Sequence, residues 1–303
     1  MDRGQALWTP ATPAGPPEGS RDAETRRRPR LVSYADGRMK FHENRTEKSE
    51  KSPSGVRRMF ADISPQYDLL NHLLSFHRDG SWRRRAVREL RLSPACRVLD
   101  VCTGTADLAL ELAAGVAGPD GGLVVGADFT PEMLAIARQK CAGRRGASLQ
   151  LVLADALRLP FPDEVFDAVT VAFGIRNVCD LRQALMEMLR VLRVDGQLAI
   201  LEFSPPRRGW LRGAFEVYFR RILPRLGAWI SRSRSGAEAY AYLPRSVGEF
   251  PSPEGFSRLL EECGFSTVRH VALTLGVVVL HLARRAAVPG PAALGASARG
   301  DQA

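Results

Sequence analysis

Five short apolar runs, rich in β-formers and each trailed by a turn or a segment of helical periodicity, constrain this chain more than any other feature. They are Arg97–Val101, Leu123–Asp128, Leu149–Leu153, Phe166–Ala172 and Gln197–Glu202. Strand alternating with helix at this pace predicts right-handed crossovers and a parallel sheet covered on both faces. The first three runs carry an acid in or just after their last residues: Asp100, Asp128 and Asp155. The first breaks into a small-residue turn centred on Gly104, after which Thr105–Ala113 reads as a helix. In an open α/β sheet such a turn lies at the carboxyl end of a strand, where ligands bind. Small side chains there let a ligand lie against the backbone.

The flanks have their own periodicities. Val56, Met59, Phe60 and Ile63, then Tyr67, Leu70, Leu73 and Leu74, recur at three-and-four spacing on either side of Pro65, and a basic amphipathic helix is expected from Trp82 to Leu92. Together they predict a helical cap over residues 54–94. Helices are expected after Thr130, with Pro131 at the first position and Glu132 in the first turn, and over Leu181–Leu192, with Asp195-Gly196 turning into the fifth strand. A helix over Ser252–Cys263 precedes two β runs, Val268–Thr274 and Val277–Leu282, whose short connection at Gly276 predicts an antiparallel hairpin.

With 303 residues and 45% apolar content the chain can bury a substantial core. Residues 1–53, rich in Pro, Gly, Arg and Glu, lack a sustained apolar period and are expected to form a disordered leader; 286–303 form an Ala/Pro/Gly tail of the same kind. The run Arg26–Arg30 is diluted by Asp22, Glu24, Asp36 and Glu43, so a variable extension, or a start misassigned upstream of Met39, is preferred to a transit peptide. Cysteines 96, 102, 141, 179 and 263 form no Cys-x-x-Cys pair, which argues against a disulfide framework and a zinc site; no metal is expected, and a reducing cytoplasm fits best. No apolar run is long enough for a membrane span. The net charge of +10 is compatible with nucleic acid, an anionic membrane surface or an acidic substrate, so its location must decide. Much of it lies in Ser204–Arg234, where eight arginines against one acid are interleaved with Trp210, Phe215, Phe219, Trp229 and other apolar residues. That composition suits a helix, interrupted at Pro224, with one apolar face and a basic rim.

A dinucleotide would require the pattern G-x-G-x-x-G in the turn, and Cys102, Gly104 and Ala106 occupy the small-residue positions instead. S-adenosylmethionine has no phosphate and asks only for close approach, an acid on the ribose diol and a group near adenine. Asp128 ends the second strand as a ribose acceptor should, and Asp155-Ala156 ends the third where an adenine contact would sit. The bland reading, that all three acids merely cap strands or helices, loses weight when they stand at successive strand ends beside a glycine turn.

The segments Arg57-Arg-Met-Phe-Ala-Asp-Ile-Ser64, Tyr67-Asp-x-x-Asn71, Ser75 with Trp82, Asp100 to Asp107, Leu159-Pro-Phe-Pro-Asp163, Phe173-Gly-Ile-Arg-Asn177 and Leu201-Glu-Phe-Ser204 resemble the ubiquinone/menaquinone C-methyltransferases. The resemblance runs from about Val56 to Arg284. It implies an α/β, Rossmann-like, seven-stranded S-adenosylmethionine-dependent methyltransferase fold, mostly parallel with an antiparallel C-terminal strand, that methylates a ring carbon of a polyprenylated quinol. It also implies cofactor contacts for Thr105, Asp128 and the Asp155-Ala156 pair, beside which Asp100 and Gly104 of the first strand and its turn are expected to bind the cofactor. The chain departs from the family pattern in Thr103 and Ala106, where glycines are usual, in Ala172 for a serine, and in Arg193-Val-Asp-Gly196 for Lys-Pro-Gly-Gly.

Carbon methylation needs an ionised quinol hydroxyl to load the adjacent carbon with electron density. Arg176, in the loop after the fourth strand, is expected to stabilise the quinolate, its competing role being a salt bridge. Tyr67 and Asn71, with Asp68, are expected to line the substrate mouth, unless they only tie the cap to the sheet. His77 is a weaker candidate base, and Cys102 fills a glycine's place. Demethylmenaquinol is the expected acceptor. The alternatives are a methoxy-benzoquinol of ubiquinone biosynthesis and a non-quinone small molecule. The basic aromatic segment 205–245 is read as a lid or as a peripheral contact with an anionic membrane at the cytoplasmic face. A nucleic-acid methyltransferase is disfavoured because the Asn/Asp-Pro-Pro-Tyr/Phe motif is missing. A non-catalytic relative would keep the core without needing Asp128 or Arg176.

Overall fold

The computed structural model describes residues 32–35, 38–41, 53–116, 122–142, 149–207, 209–218, 221 and 234–286. The chain divides into Met1–Glu47 and Lys48–Ala303. In the first unit, within the expected leader, strands β1 (Val32–Ala35) and β2 (Arg38–Phe41) pair antiparallel.

The second unit is built on a seven-stranded sheet. Its strands are β3 (Arg97–Val101), β4 (Leu123–Asp128), β5 (Leu149–Leu153), β6 (Phe166–Ala172), β7 (Leu192–Phe203), β8 (Phe265–Leu273) and β9 (Val278–Arg285), in the order β5-β4-β3-β6-β7-β9-β8. Strands β3 to β7 pair in parallel, and β9 runs antiparallel to both β7 and β8, so one strand opposes the other six. Successive residues of the central strands face opposite cores: Val98, Val124 and Ala168 turn to one, Leu99, Val125 and Val169 to the other. Apolar residues on both faces are what a sheet covered on both sides requires.

The helices are α1 (Pro53–Ile63), α2 (Tyr67–Leu74), α3 (Asp79–Leu90), α4 (Asp107–Val116), α5 (Pro131–Ala142), α6 (Leu181–Val191), α7 (Gly209–Val217), α8 (Arg234–Glu249) and α9 (Pro253–Glu262). One face of the sheet packs Trp82, Ala86 and Leu90 of α3 with Leu108, Leu112 and Val116 of α4; the other packs Leu185 and Met188 of α6 with Phe256 and Leu260 of α9. A single 3-10 turn, Ser64–Gln66, separates α1 from α2 at Pro65. The Asp180 carboxylate accepts the Gln183 N–H at the start of α6, and the Ser252 hydroxyl accepts the Gly255 N–H at the start of α9.

The expected turn at Asp195-Gly196 lies inside one long strand. Leu192 pairs with Phe166 and Gln197 with Ala168, so residues 193–196 bulge outward, with Asp195 at φ 61°. Among the described residues, α7 covers the start of the basic aromatic segment and α8 its end, and no residue of α7 is buried. Pro224 and Trp229 lie outside the described residues.

The strand order reverses between β3 and β6. At such a switch point two successive connections leave the sheet in opposite directions, and a crevice opens above the carboxyl ends.

Candidate active site

Three loops meet in that crevice, following β3, β4 and β6. In the first, Cys102, Gly104 and Ala106 all have positive φ, at 55°, 56° and 69°. Each non-glycine residue held there costs about 1–2 kcal/mol. The turn is fixed by Thr103 N–H to Ala127 C=O at 3.0 Å, Ala106 N–H to Thr103 C=O at 2.9 Å and Gly104 N–H to Asp128 Oδ2 at 2.8 Å. Across the crevice, Gly174 packs so closely that a Cβ on it would lie 2.4 Å from the Cys102 Cβ. Only glycine fits opposite the side chain that occupies the turn.

The result is a cleft of about 820 Å³, partly open to solvent, lined by Gly104, Asp128, Asp155, Ala156, Phe173 and Gly174 among others. Asp128 is buried, and its second oxygen accepts the Thr130 N–H at 2.8 Å. Each oxygen thus accepts from a backbone N–H, and the Phe129 N–H and the Thr130 hydroxyl act on the same carboxylate. Burial pushes the Asp128 carboxyl above the usual range, against the backbone hydrogen bonds from Thr130 and Gly104. Asp155 closes its own turn by accepting the Leu157 N–H at 2.9 Å.

Asp100 and Thr105 lie outside the cleft wall. Asp100 is buried beneath the floor, where Thr103 and Thr170 donate hydroxyls at 2.6 and 2.7 Å. Its burial drives the carboxyl up to about 6 despite those bonds. The Thr103 hydroxyl therefore has a partner that a glycine could not supply. Thr105, also buried, donates to Asp68 Oδ1 at 2.6 Å and accepts from Lys140 Nζ at 2.9 Å. Lys140 also meets Asp68 at 2.6 Å and Asp107 at 2.7 Å, which ties α2 to α4 and α5. Asp68 belongs to this tie, while its neighbours Tyr67 and Asn71 line cavities.

A second cavity, about 770 Å³, shares Phe60, Tyr67 and Phe173 with the cleft. Its walls include the rings of Trp82, Phe173 and Phe203, with centroids 4.7 to 6.3 Å apart, and the Trp82 indole is fixed by its N–H to Thr274 Oγ1 at 2.7 Å. Tyr67 hydrogen-bonds to Asn71, and burial holds its phenol in the protonated form by raising its pKa. Arg176 reaches this cavity from the loop after β6. Its Nη1 donates to Glu202 Oε1 at 2.7 Å and to the Phe173 carbonyl, and its guanidinium carbon lies 5.7 Å from the centre of the Phe203 ring. Glu202, 1% exposed, is pushed upward by burial and downward by Arg176, with burial the larger. The Arg176 Nε is buried without a partner among the described residues. The salt bridge and the cavity position coexist in one side chain.

Residues that sequence reasoning overlooked complete the second cavity: Asp79 and Arg83 of α3, and Tyr242 of α8. Asp79 and Arg83 stand four apart on one helix, a spacing that signals an ion pair, and their atoms lie 2.7 Å apart. His77 is exposed and absent from both walls. His72, Asp79 and Asp107 cluster as metal ligands could, but Arg83 Nη2 already lies 2.7 Å from Asp79 and 3.3 Å from Asp107. A cation is built into the protein there.

A model of the ubiE/COQ5 methyltransferase family matches residues 45–285. The chain belongs to that family. Among relatives of ubiE/COQ5 type, it is 52% identical over 228 residues to a demethylmenaquinone methyltransferase of Thermus thermophilus, covering 75% of this chain and 100% of the relative. It is 48% identical to a demethylmenaquinone methyltransferase of Deinococcus radiodurans, covering 78% and 95%, and 46% identical to a ubiquinone/menaquinone biosynthesis C-methyltransferase of Geobacter sulfurreducens, covering 78% and 89%. A solved S-adenosylmethionine-dependent methyltransferase of Thermotoga maritima superposes with a TM-score of 0.51 at 18% identity, covering 76% of this chain and 99% of that one, and so shares the fold. Like the family, the chain is a methyltransferase, and its methyl donor is S-adenosylmethionine.

Proposed function

We propose that this enzyme methylates a ring carbon of a polyprenylated demethylnaphthoquinol, the demethylmenaquinol-to-menaquinol step. The observation that carries this reading is the junction of the two cavities. A cleft edged by strand-end acids shares Phe60, Tyr67 and Phe173 with an adjoining aromatic-walled cavity that holds a buried guanidinium. The names of the relatives at 52% and 48% identity agree with it.

The donor set of the cleft fits S-adenosylmethionine. Asp128 presents a carboxylate in the cleft wall to a ribose diol, Asp155 to Leu157 offer a turn of mixed polarity to a purine, and Gly104 with Gly174 leave bare backbone at the switch point. The donor supplies a methyl group on a positively charged sulfur. In the second cavity, Trp82, Phe173 and Phe203 hold a flat ring system and exclude water. Arg176, paired with Glu202, keeps its charge and stabilises the oxyanion that forms when a ring hydroxyl ionises. Tyr67, with Asn71, donates a hydrogen bond at the junction and orients the ring. Asp100 and Thr105 support the cleft from behind.

A prenylated acceptor resides in a bilayer, and the described surface suits contact with one. No helix among the described residues is long and apolar enough to cross a membrane. Trp210 of α7 and Phe76 are each 72% exposed, and Arg207 and Arg212 are exposed nearby in sequence. The enzyme is therefore expected to bind anionic vesicles in a salt-sensitive way. Charge reversal of Arg207, Arg208 and Arg212 that leaves flotation unchanged would remove membrane contact from the reading.

The deciding experiment incubates the protein with labelled S-adenosylmethionine and each reduced acceptor, a demethylnaphthoquinol and a methoxy-benzoquinol. Label in the naphthoquinol supports the proposal. Label in the benzoquinol alone redirects it to ubiquinone biosynthesis, and label in neither defeats it.

A further inference from the structure

We propose that Asp79 is the proton acceptor of the second cavity and that His72, which meets Asp79 on the side away from the cavity, passes the proton to solvent. The inference rests on the proposed quinol methylation. In that reaction methyl replaces hydrogen on a ring carbon, so one proton must leave a cavity walled by aromatic rings.

Asp79 opens α3, is 3% exposed and lines the cavity together with Ser75 and Arg83. Its Oδ1 accepts the Ser75 hydroxyl at 2.8 Å, and its Oδ2 lies 2.7 Å from Arg83 Nη2 and 2.8 Å from His72 Nδ1. The His72 side chain is 40% exposed and takes no part in the cavity wall. The carboxylate thus stands between the cavity and an imidazole that reaches water. The other polar groups there cannot do this work. Arg176 has no acceptor, the Tyr67 phenol is held protonated by burial, and Glu202 is not part of the cavity wall but lies behind Arg176, with which it pairs.

The protons and electrons balance as follows. The ring hydroxyl gives its proton to the Asp79 carboxylate, directly or through the Ser75 hydroxyl, and keeps the bonding pair as an oxyanion. The ring carbon uses a ring electron pair to bond the methyl, and the pair of the broken carbon–sulfur bond stays on sulfur. The hydrogen left on that carbon then moves as a proton to the ring oxygen, which restores aromaticity. One proton remains on Asp79. It passes to Nδ1 of the His72 imidazole, held in its Nε2–H tautomer; the ring releases the Nε2 proton to water and regains that tautomer by exchange with solvent. Burial raises the Asp79 carboxyl, but Arg83 and the hydrogen bonds with His72 and Ser75 outweigh it and hold it at about 2, so the carboxylate is ionised when the ring hydroxyl meets it and does not keep the proton.

The charged and titratable groups facing His72 are Asp79 and Arg83 on α3, His77 with its ring stacked at 5.8 Å, and Asp107 on α4. Lys140 on α5 holds Asp107 and Asp68.

The test measures methyl transfer to the reduced naphthoquinone by the full-length protein and by His72→Gln, His72→Ala and Asp79→Asn, with calorimetric binding of S-adenosylmethionine as the check of folding. In His72→Gln, which can still donate to Asp79, the rate is expected to fall about 10-fold and the acid limb of the pH profile to vanish; in Asp79→Asn the fall should be about 100-fold. Donor affinity should stay within twofold in both. Added imidazole should restore His72→Ala, because the vacated site reaches solvent. A wild-type rate and pH profile in His72→Gln, or no rescue of a folded His72→Ala, would overturn the relay while leaving the methylation intact. A wild-type protein inert toward both quinols would overturn both.

Discussion

The two cavities share three residues and yet are built in different ways. The donor cleft is walled by chain that follows strand ends, with residues 101–104, 127–130, 154–157 and 173–174 forming most of it. Its key acid, Asp128, is positioned by backbone N–H groups of Gly104 and Thr130. The second cavity draws one to three residues each from α1, α2 and the turn after it, α3, the loop after β6, β7 and α8, and its polar groups are held by other side chains. Removing a group from the first should therefore cost ligand affinity and little else. Removing one member of a pair in the second leaves a buried charge alone and threatens the fold.

The largest expected effect follows from that contrast. Asp128→Ala removes the carboxylate proposed to take the ribose hydroxyls and should weaken S-adenosylmethionine binding about 100-fold, roughly 2.7 kcal/mol, the size of a hydrogen bond to a charged group. Quinol affinity should not move. Calorimetry on the variant checks this, and a loss below threefold would mean that the cleft does not hold the ribose. Next in size is Arg176→Lys, which preserves a positive charge for Glu202 and loses the planar fork. The expected outcome is a fall in kcat of about 30-fold with donor affinity within twofold. By contrast Arg176→Met, which strands Glu202, should lose about 3–5 kcal/mol of stability in a urea titration. Equal stability in the two variants would erase the distinction drawn between the cavities.

The same contrast explains what was legible in the sequence. Strands β4, β5 and β6 begin and end where the residue pattern predicts, because each is an apolar run bounded by turn residues. Asp128 and Asp155 were readable because a strand end fixes where the next side chain points. Asp100 and Thr105 stand beside the right turn, but strand alternation sends Asp100, and the path of the turn sends Thr105, behind the cleft, and spacing alone does not reveal that. Asp79, Arg83 and Tyr242 were invisible as a group. They come from α3 and α8, far apart in sequence, and only the topology brings them to one cavity. Arg176 was legible through its motif, whereas its partner Glu202 looked like the end of a strand.

A smaller effect tests the switch point itself. Gly174→Ala would put a Cβ 2.4 Å from that of Cys102. The overpacking should cost about 1–3 kcal/mol, read as a lower urea midpoint with an unchanged slope. Cys102→Gly should recover most of that loss in the double variant, since it removes the clashing atom and relieves the positive φ at 55°. Additive effects of the two substitutions would mean that the loops do not meet as tightly as they do here.

The smallest effect concerns Asp100, which belongs to the cleft by sequence and to the core by burial. Its folded carboxyl titrates at about 6 against 3.8 for the exposed group, chiefly because burial disfavours the charge. Between those values the folded state binds more protons than the unfolded state, so this group makes stability fall as pH rises from about 4 to about 6. Above that window its ionised form is a standing cost on the order of 3 kcal/mol. Asp100→Asn removes the titration and should flatten that part of the stability curve. At neutral pH the net gain should be about 1 kcal/mol or less, because one amide oxygen replaces two carboxylate oxygens and either Thr103 or Thr170 must turn its hydroxyl to accept. Urea unfolding at several pH values between 4 and 8 decides it. An unchanged slope in the variant would show that the buried acid under the cleft is not what sets the acid-side behaviour of the fold.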